Sequence, residues 1–407
     1  MEKVKFDLNQ FLQAVSFAID FVEIDILGAT ENHSRRVAYI SLRIAEKLGL
    51  SKEEKSDIVA FSIMHDNGLC EESLHTEIQF TMMKQLQRME GLKDHCIFGE
   101  RNIKDYPLLS GNKNIVKYHH ENWDGTGFFG LKGNEIPLLA RIIGLADFVD
   151  NVYHFETGKQ EEIKNYIKNN VGIRFAPEIV SAYLEVSSFP KFWLDLKNET
   201  IWLALKNHVV PNEQKFSWQD IFEITRVFTT IIDSKSRFTG RHSTGIIEKT
   251  TIACDYYQIS GDEKIKMMIA ASLHDLGKLA IPDYILEKPA KLNVEEMNKM
   301  KSHTYYTKFA LRQIDKFDEI REWAANHHEK LNGTGYPEGL DKNDLEFNCR
   351  LMACIDIYQA LTEDRPYRKG LSFDKSYSIM DEMAENNFID RKIVEEFIPH
   401  LSDKCNF

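Results

Sequence analysis

The sequence predicts an all-α protein in which one helical domain occurs twice. Apolar residues recur at three- and four-residue spacing along most segments, strand-type alternation is scarce, and seven histidine and aspartate positions are spelled twice in one order. His33, His65, Asp66, His95, His119, His120 and Asp147 return as His242, His274, Asp275, His303, His327, His328 and Asp356, offset by 208 or 209 residues throughout. Chance does not hold seven such residues to one register. At 407 residues the chain also has the length of two ordinary domains.

The first helix is carried by Phe11, Val15, Ala18, Phe21 and Val22, and its counterpart by Ile221, Ile224, Val227, Phe228 and Ile231. After His33 a second helix runs through Val37, Ile40, Leu42 and Ala45 to Gly49, which suits a left-handed cap. Ser51 and Glu54 then open the next helix as a capping box. Gly-rich stretches follow the two double histidines, 122–127 and 332–335, and read as site loops. The expected organisation is a first domain over 1–188, a partly helical connector over 189–215 containing Pro190 and Pro211, and a second domain over 216–407.

Hydrophobic content of 43% with 28% charged residues is that of a globular chain. A net charge of -12 argues against a DNA or RNA duplex as partner, because such binding rests on cations that neutralise phosphates. A small anionic ligand would need local cations. The opening residues do not form a charged-then-apolar leader, and runs such as Ile142 to Ala146 fall far short of the roughly 20 apolar residues that span a bilayer. A soluble, cytoplasmic protein without membrane contact is expected. The six cysteines show no paired short spacing; they are expected as buried thiols without a role.

Imidazole and carboxylate donors without thiolate suit iron, manganese, cobalt or zinc, and five histidines with two aspartates exceed the needs of one ion. Two divalent ions per site is the economical reading. Neighbours on a helix project about 100° apart, so His274-Asp275 and His327-His328 would each straddle an ion pair, with Asp275 as the bridge.

Leu273-His274-Asp275-Leu276-Gly277-Lys278, followed by Ile281-Pro282, Lys288-Pro289 and Lys291-Leu292, resembles the HD superfamily of metal-dependent phosphohydrolases. The run from His327-His328-Glu329 through Gly333-Thr334-Gly335-Tyr336-Pro337 narrows the resemblance to the HD-GYP family, bacterial phosphodiesterases of cyclic dinucleotides. Asp356 to Thr362 and Arg365-Pro366-Tyr367-Arg368 extend it over nearly all of the second repeat. The resemblance implies two tandem HD-type helical domains, the second an HD-GYP domain. It further implies that His242, His274, Asp275, His303, His327, His328 and Asp356 hold two ions, Fe or Mn first, with Co, Ni, Mg or Zn as alternatives. Asp275 and Lys278 would be the catalytic pair, Lys278 facing the scissile phosphate; Tyr336, Arg365 and Arg368 would complete the substrate contacts. Some relatives hold a third ion with an acidic residue four positions before the first histidine, where this chain has Phe238.

A metal pair generates a nucleophile near neutral pH and neutralises charge on the phosphate, while Lys278 adds a fixed cation whose loss would cost about 10² to 10³ in rate. Guanidinium forks suit phosphate at Arg365 and Arg368, the plainer alternative being surface ion pairs. Gly333, Gly335 and Pro337 could equally serve the shape of their loop.

The first repeat keeps the seven donors, His33 through Asp147, but has Gly68-Leu69 in place of Gly277-Lys278, Phe128-Phe129 in place of Tyr336-Pro337, and no counterpart of Arg365 or Arg368. It reads as a regulatory or structural domain that still binds metal; retained activity on this or another substrate is the minority reading. The function expected first is hydrolysis of cyclic di-GMP in the second repeat, the end product being either pGpG or, by a second cleavage, GMP. The alternatives are 3'3'-cGAMP as substrate, a mononucleotide or (p)ppGpp, and a non-catalytic cyclic-dinucleotide receptor or scaffold. The helical surfaces leave room for a homodimer or signalling-protein partners.

Overall fold

The computed structural model of the chain describes residues 3–27, 29–70, 88–155, 160–234, 242–364 and 369–404. Among them nearly all regular structure is helical; the named strands, Val4–Asp7 and Glu213–Phe216, pair as a two-stranded sheet. The chain folds as two compact units, Asp7–Gln214 and Lys215–Phe407, the latter also taking in residues 3–6. Phe6 explains that exchange: its ring packs edge-on against Phe216 at 5.8 Å and stacks on Phe317 at 6.2 Å. No helix among the described residues is long and apolar enough to cross a membrane.

In the first unit the helix His33–Lys47 is almost wholly buried, with Val37, Ala38, Ile40, Leu42 and Ala45 in the core. Its end falls where the sequence places it: Gly49 adopts φ 71°, and the N–H of Leu48 returns to the Ile44 carbonyl. The next helix, Lys52–Ile63, carries the capping box of Ser51 and Glu54, both bonds made. The segment 189–215 forms helices Pro190–Asp195 and Ile201–His208. It is not an open tether: Phe192, Trp193, Ile201 and Leu205 are buried, the Trp193 indole donates to the Ser187 carbonyl at 2.8 Å, and the Tyr39 hydroxyl donates to Asp195 at 2.6 Å. Each such buried side chain contributes on the order of 1.5–3 kcal/mol.

The second unit repeats the plan around Phe228, Phe317, Trp323 and Phe397, all buried. Helix Gly261–Leu273 delivers His274 as its C-terminal cap, a 3-10 turn over Leu276–Ala280 follows, and helix Val294–Leu311 lies directly on that turn. The close approach needs Gly277, since a Cβ there would sit 1.9 Å from the His303 carbonyl oxygen. Gly68 does the same in the first unit, 2.0 Å from the His95 carbonyl oxygen.

Candidate metal centres

In the second unit His242 opens helix His242–Tyr256, His303 lies within Val294–Leu311, and Asp356 lies within Phe347–Thr362. With His274, Asp275, His327 and His328 they converge on one buried cluster. Asp275 sits at its middle with its two oxygens turned to opposite sides. Oδ2 lies 3.1 Å from His274 Nε2 and 3.7 Å from His242 Nε2, while Oδ1 lies 3.5 Å from His303 Nε2 and 3.9 Å from His327 Nε2. Asp356 Oδ1 is 3.4 Å from His242 Nε2, and its Oδ2 is 4.0 Å from His328.

The ring orientations are fixed from behind. The Nδ1–H of His274, His303 and His327 donates to the carbonyl three residues earlier, at 2.8, 2.7 and 2.6 Å. A carbonyl can only accept, so each neutral ring turns its Nε2 lone pair toward the cluster. His242 is oriented by a carboxylate instead, with Glu363 Oε2 2.8 Å from Nδ1. Burial alone would lower His242, but Asp356 and Glu363 outweigh it and raise it to about 9. Burial takes His303 down to about 3, and His327 falls for the same reason. Asp275 stays ionised despite burial, because His274 and Lys278 hold it well below the usual carboxylate range.

The first unit builds the same figure. Asp66 Oδ2 lies 3.4 Å from His65 Nε2, and its Oδ1 lies 3.1 Å from His95 Nε2 and 3.6 Å from His119 Nε2. His65 and His119 donate from Nδ1 to the carbonyls of Ser62 and Val116 at 2.8 and 2.6 Å. His33 has Asp150 Oδ2 2.8 Å from its Nδ1 and Asp147 Oδ1 3.4 Å from its Nε2. The His120 ring lies tilted beside that of His119, centroids 3.9 Å apart.

Both clusters fit a cation. His65 Nε2, His242 Nε2, His274 Nε2, Asp66 Oδ1 and Asp275 Oδ1 are buried without a hydrogen-bond partner. Each such atom costs about 1–3 kcal/mol unless something else satisfies it. All face other nitrogen and oxygen donors, and within each of several groups the donor atoms lie within 4.8 Å of one another, including His242/His274/Asp356, His274/Asp275/His327 and His303/His327/His328. Imidazole and carboxylate oxygen suit a divalent transition ion.

Around the second cluster, Lys278 hydrogen-bonds Asp275 Oδ2, so its ammonium lies at the donors themselves. In the first unit the equivalent Leu69 is buried and apolar. The Tyr336 ring lies 4.9 Å from that of His328, and Phe128 lies 5.6 Å from His120. Gly333 has φ 74°, as its loop requires, whereas Gly335 is needed for space: a Cβ there would meet Glu329 Cα at 2.5 Å. Arg365, Arg368 and Phe238 lie outside the described residues.

Sequence reading missed several groups. Asp150 and Glu363 orient a histidine at different distances from the aligned aspartates, so the repeat does not reveal them. Glu329 accepts from the N–H groups of Glu338, Gly339 and Leu340 at 2.7, 3.1 and 3.0 Å, and Glu121 accepts from Phe129 and Leu131, which makes these loops structural. Cys96, where the second repeat has Thr304, stands among His95, His119 and His120, with Sγ 3.5 Å from His95 Nε2. Glu23 is buried beside His33, His65 and Asp66, and burial pushes its carboxyl up to about 8.

Known proteins share this plan. Residues 226–393 and 30–152 each match a family model described as an HD domain. A 3'3'-cGAMP-specific phosphodiesterase 1 of Vibrio cholerae is 26% identical over 96% of this chain and 91% of its own length. A cyclic di-GMP phosphodiesterase of the same organism is 40% identical over 32% of this chain and 27% of its own. The crystal structure of a cyclic GMP-AMP-specific phosphodiesterase of V. cholerae superposes with a TM-score of 0.69 at 24% identity, covering 98% of both chains, which shows a shared fold.

Proposed function

The chain carries two HD domains in tandem and is homologous to HD-GYP-type phosphodiesterases of cGAMP and cyclic di-GMP, and from that premise we propose that it hydrolyses a cyclic dinucleotide, 3'3'-cGAMP before cyclic di-GMP. The preference reverses the order expected from the sequence motifs. It rests on extent: the 3'3'-cGAMP-specific relative aligns along both repeats, whereas the cyclic di-GMP relative aligns over about a third of the chain. Nothing in the spacing or composition of the second repeat separates guanine from adenine.

Catalysis is assigned to the second repeat, with His242, His274, Asp275, His303, His327, His328 and Asp356 holding an Fe or Mn pair. Such a pair, when bound, activates water for attack on phosphorus and neutralises the phosphate oxygens. Asp275 spans the two halves of the donor cluster and fixes their separation. Glu363 holds His242 in the donor tautomer. Lys278, whose ammonium lies at Asp275 Oδ2, would present its charge to the scissile phosphate. Tyr336 borders the opening beside His328, and Arg365 and Arg368 are proposed to meet the remaining phosphate and a base. The first product is a linear dinucleotide, and the resolved products decide whether a second cleavage to mononucleotides follows. The first repeat, with Leu69 in place of the lysine, is proposed to be regulatory or structural, and the protein to act in the cytoplasm.

The test is anaerobic turnover of 3'3'-cGAMP and cyclic di-GMP by Fe- or Mn-loaded protein, with products resolved. Faster turnover of 3'3'-cGAMP, lost in Asp275→Ala and kept in Asp66→Ala, is expected. Binding of both nucleotides without cleavage of either would replace this reading with that of a receptor.

A further inference from the structure

Glu23 lies in helix Leu8–Leu27, is fully buried, and neither of its carboxylate oxygens has a hydrogen-bond partner among the described residues. It is aimed at the metal cluster of the first repeat: Glu23, His33, His65 and Asp66 each offer a donor atom within 4.8 Å of the others. Asp147 Oδ1 adjoins the same group, 3.4 Å from His33 Nε2 and 3.7 Å from His65 Nε2.

We propose that Glu23 is an additional protein ligand of the first repeat's metal centre, and that it closes the coordination of the ion held by His33, His65, Asp66 and Asp147. The second repeat marks what is different. Asp20 accepts from the N–H and hydroxyl of Ser34, and Asp233 accepts from the hydroxyl of Ser243, so these two aspartates mark the same place in the two helices. Three residues beyond Asp20 stands Glu23; in sequence the residue three beyond Asp233 is Ser236, not a carboxylate, and it lies outside the described residues.

Structural metal sites are closed by protein donors, whereas hydrolytic ones keep a position open for water or substrate. A carboxylate added to a donor set otherwise equal to that of the second repeat takes such a position. This accounts for a first repeat that keeps all seven donors while replacing the phosphate-facing lysine by Leu69: the ion is kept because its binding free energy is folding free energy. It also gives the buried carboxylate a partner, where an isolated charge in such a place would be costly.

Manganese binding to the full-length chain tests this, with Asp275→Ala as parent so that bound ion reports the first repeat. Free Mn(II) is read by electron paramagnetic resonance, and water access to bound Mn(II) by proton relaxation. Glu23→Gln and Glu23→Ala should weaken binding by about tenfold or more, about 1.4 kcal/mol, and should raise the relaxation per bound ion as a coordination position opens to water. Equal affinity and equal relaxation in parent and both variants overturn the proposal. Melting of the metal-free proteins guards against a folding effect. Metal-free Glu23→Gln should melt no lower than its parent, and a lower melting point would make Glu23 a packing residue and also overturn the proposal. The measurement needs no nucleotide, so its failure leaves the substrate reading untouched.

Discussion

Glu363 Oε2 lies 2.8 Å from His242 Nδ1, and Asp150 Oδ2 lies 2.8 Å from His33 Nδ1. The two repeats thus orient the first histidine of their clusters with a carboxylate, drawn from different places on the aligned helices Phe347–Thr362 and Leu138–Phe155 or their edges. Partners of this kind typically tune metal affinity or activity by about 10- to 100-fold. Glu363→Ala should therefore weaken metal binding in the second repeat by about that factor, with Glu363→Gln, which keeps an acceptor oxygen, recovering part of it. Metal titrations that coincide for both variants and wild type would make Glu363 a bystander.

Lys278 acts on a different quantity. Lys278→Ala should lower kcat by about 10² to 10³ while bound metal per chain stays at the wild-type value, since the lysine competes with a cation for Asp275 rather than helping to bind it. Loss of metal in step with loss of rate would assign Lys278 to the architecture of the cluster instead.

Gly277 tests the packing that brings His303 to His274. A methyl group there would sit 1.9 Å from the His303 carbonyl oxygen and 2.9 Å from the Thr307 nitrogen, so helix Val294–Leu311 must move. Forcing extra volume into such a contact costs about 1–3 kcal/mol or more. Gly277→Ala should lower the melting temperature and the metal content of the second repeat together; Gly68→Ala should do so for the first, where the distance to the His95 carbonyl oxygen is 2.0 Å.

Arg36 and Asp150 form a buried pair, Nε to Oδ1 at 2.6 Å and Nη2 to Oδ2 at 2.9 Å, with both side chains excluded from water. Arg36→Met leaves Asp150 buried beside His33 without its cation and should cost about 3–5 kcal/mol in urea unfolding. Arg36→Met with Asp150→Asn should recover much of that loss. The second repeat places Gly245 and Gln359 at the corresponding positions, where a Cβ on Gly245 would meet the Gln359 amide at 2.5 Å. The two repeats therefore fill one space with different chemistry.

The sequence by itself determined the helical class, the twofold repeat and which seven histidines and aspartates recur in each half. Those features are written in local periodicity and in residue identities held at a constant offset, which no folding is needed to read. The caps at Gly49 and Ser51 belong to the same class, because a helix end is satisfied by neighbours in sequence. Tertiary structure alone decided the rest. The chain start joins the second unit because Phe6 finds Phe216 and Phe317, and the segment after Val186 joins the first because Phe192, Trp193 and Leu205 bury there. Asp150 lies three residues after Asp147, but Glu363 lies seven after Asp356, so no spacing announces that both hold a histidine. Glu23 and Cys96 likewise become donor candidates only when packing carries them to His65 and His119. A repeat preserves the residues that chemistry requires in one order, whereas the groups that support them need only arrive at the right point in space, and packing can bring them there from many positions along the chain.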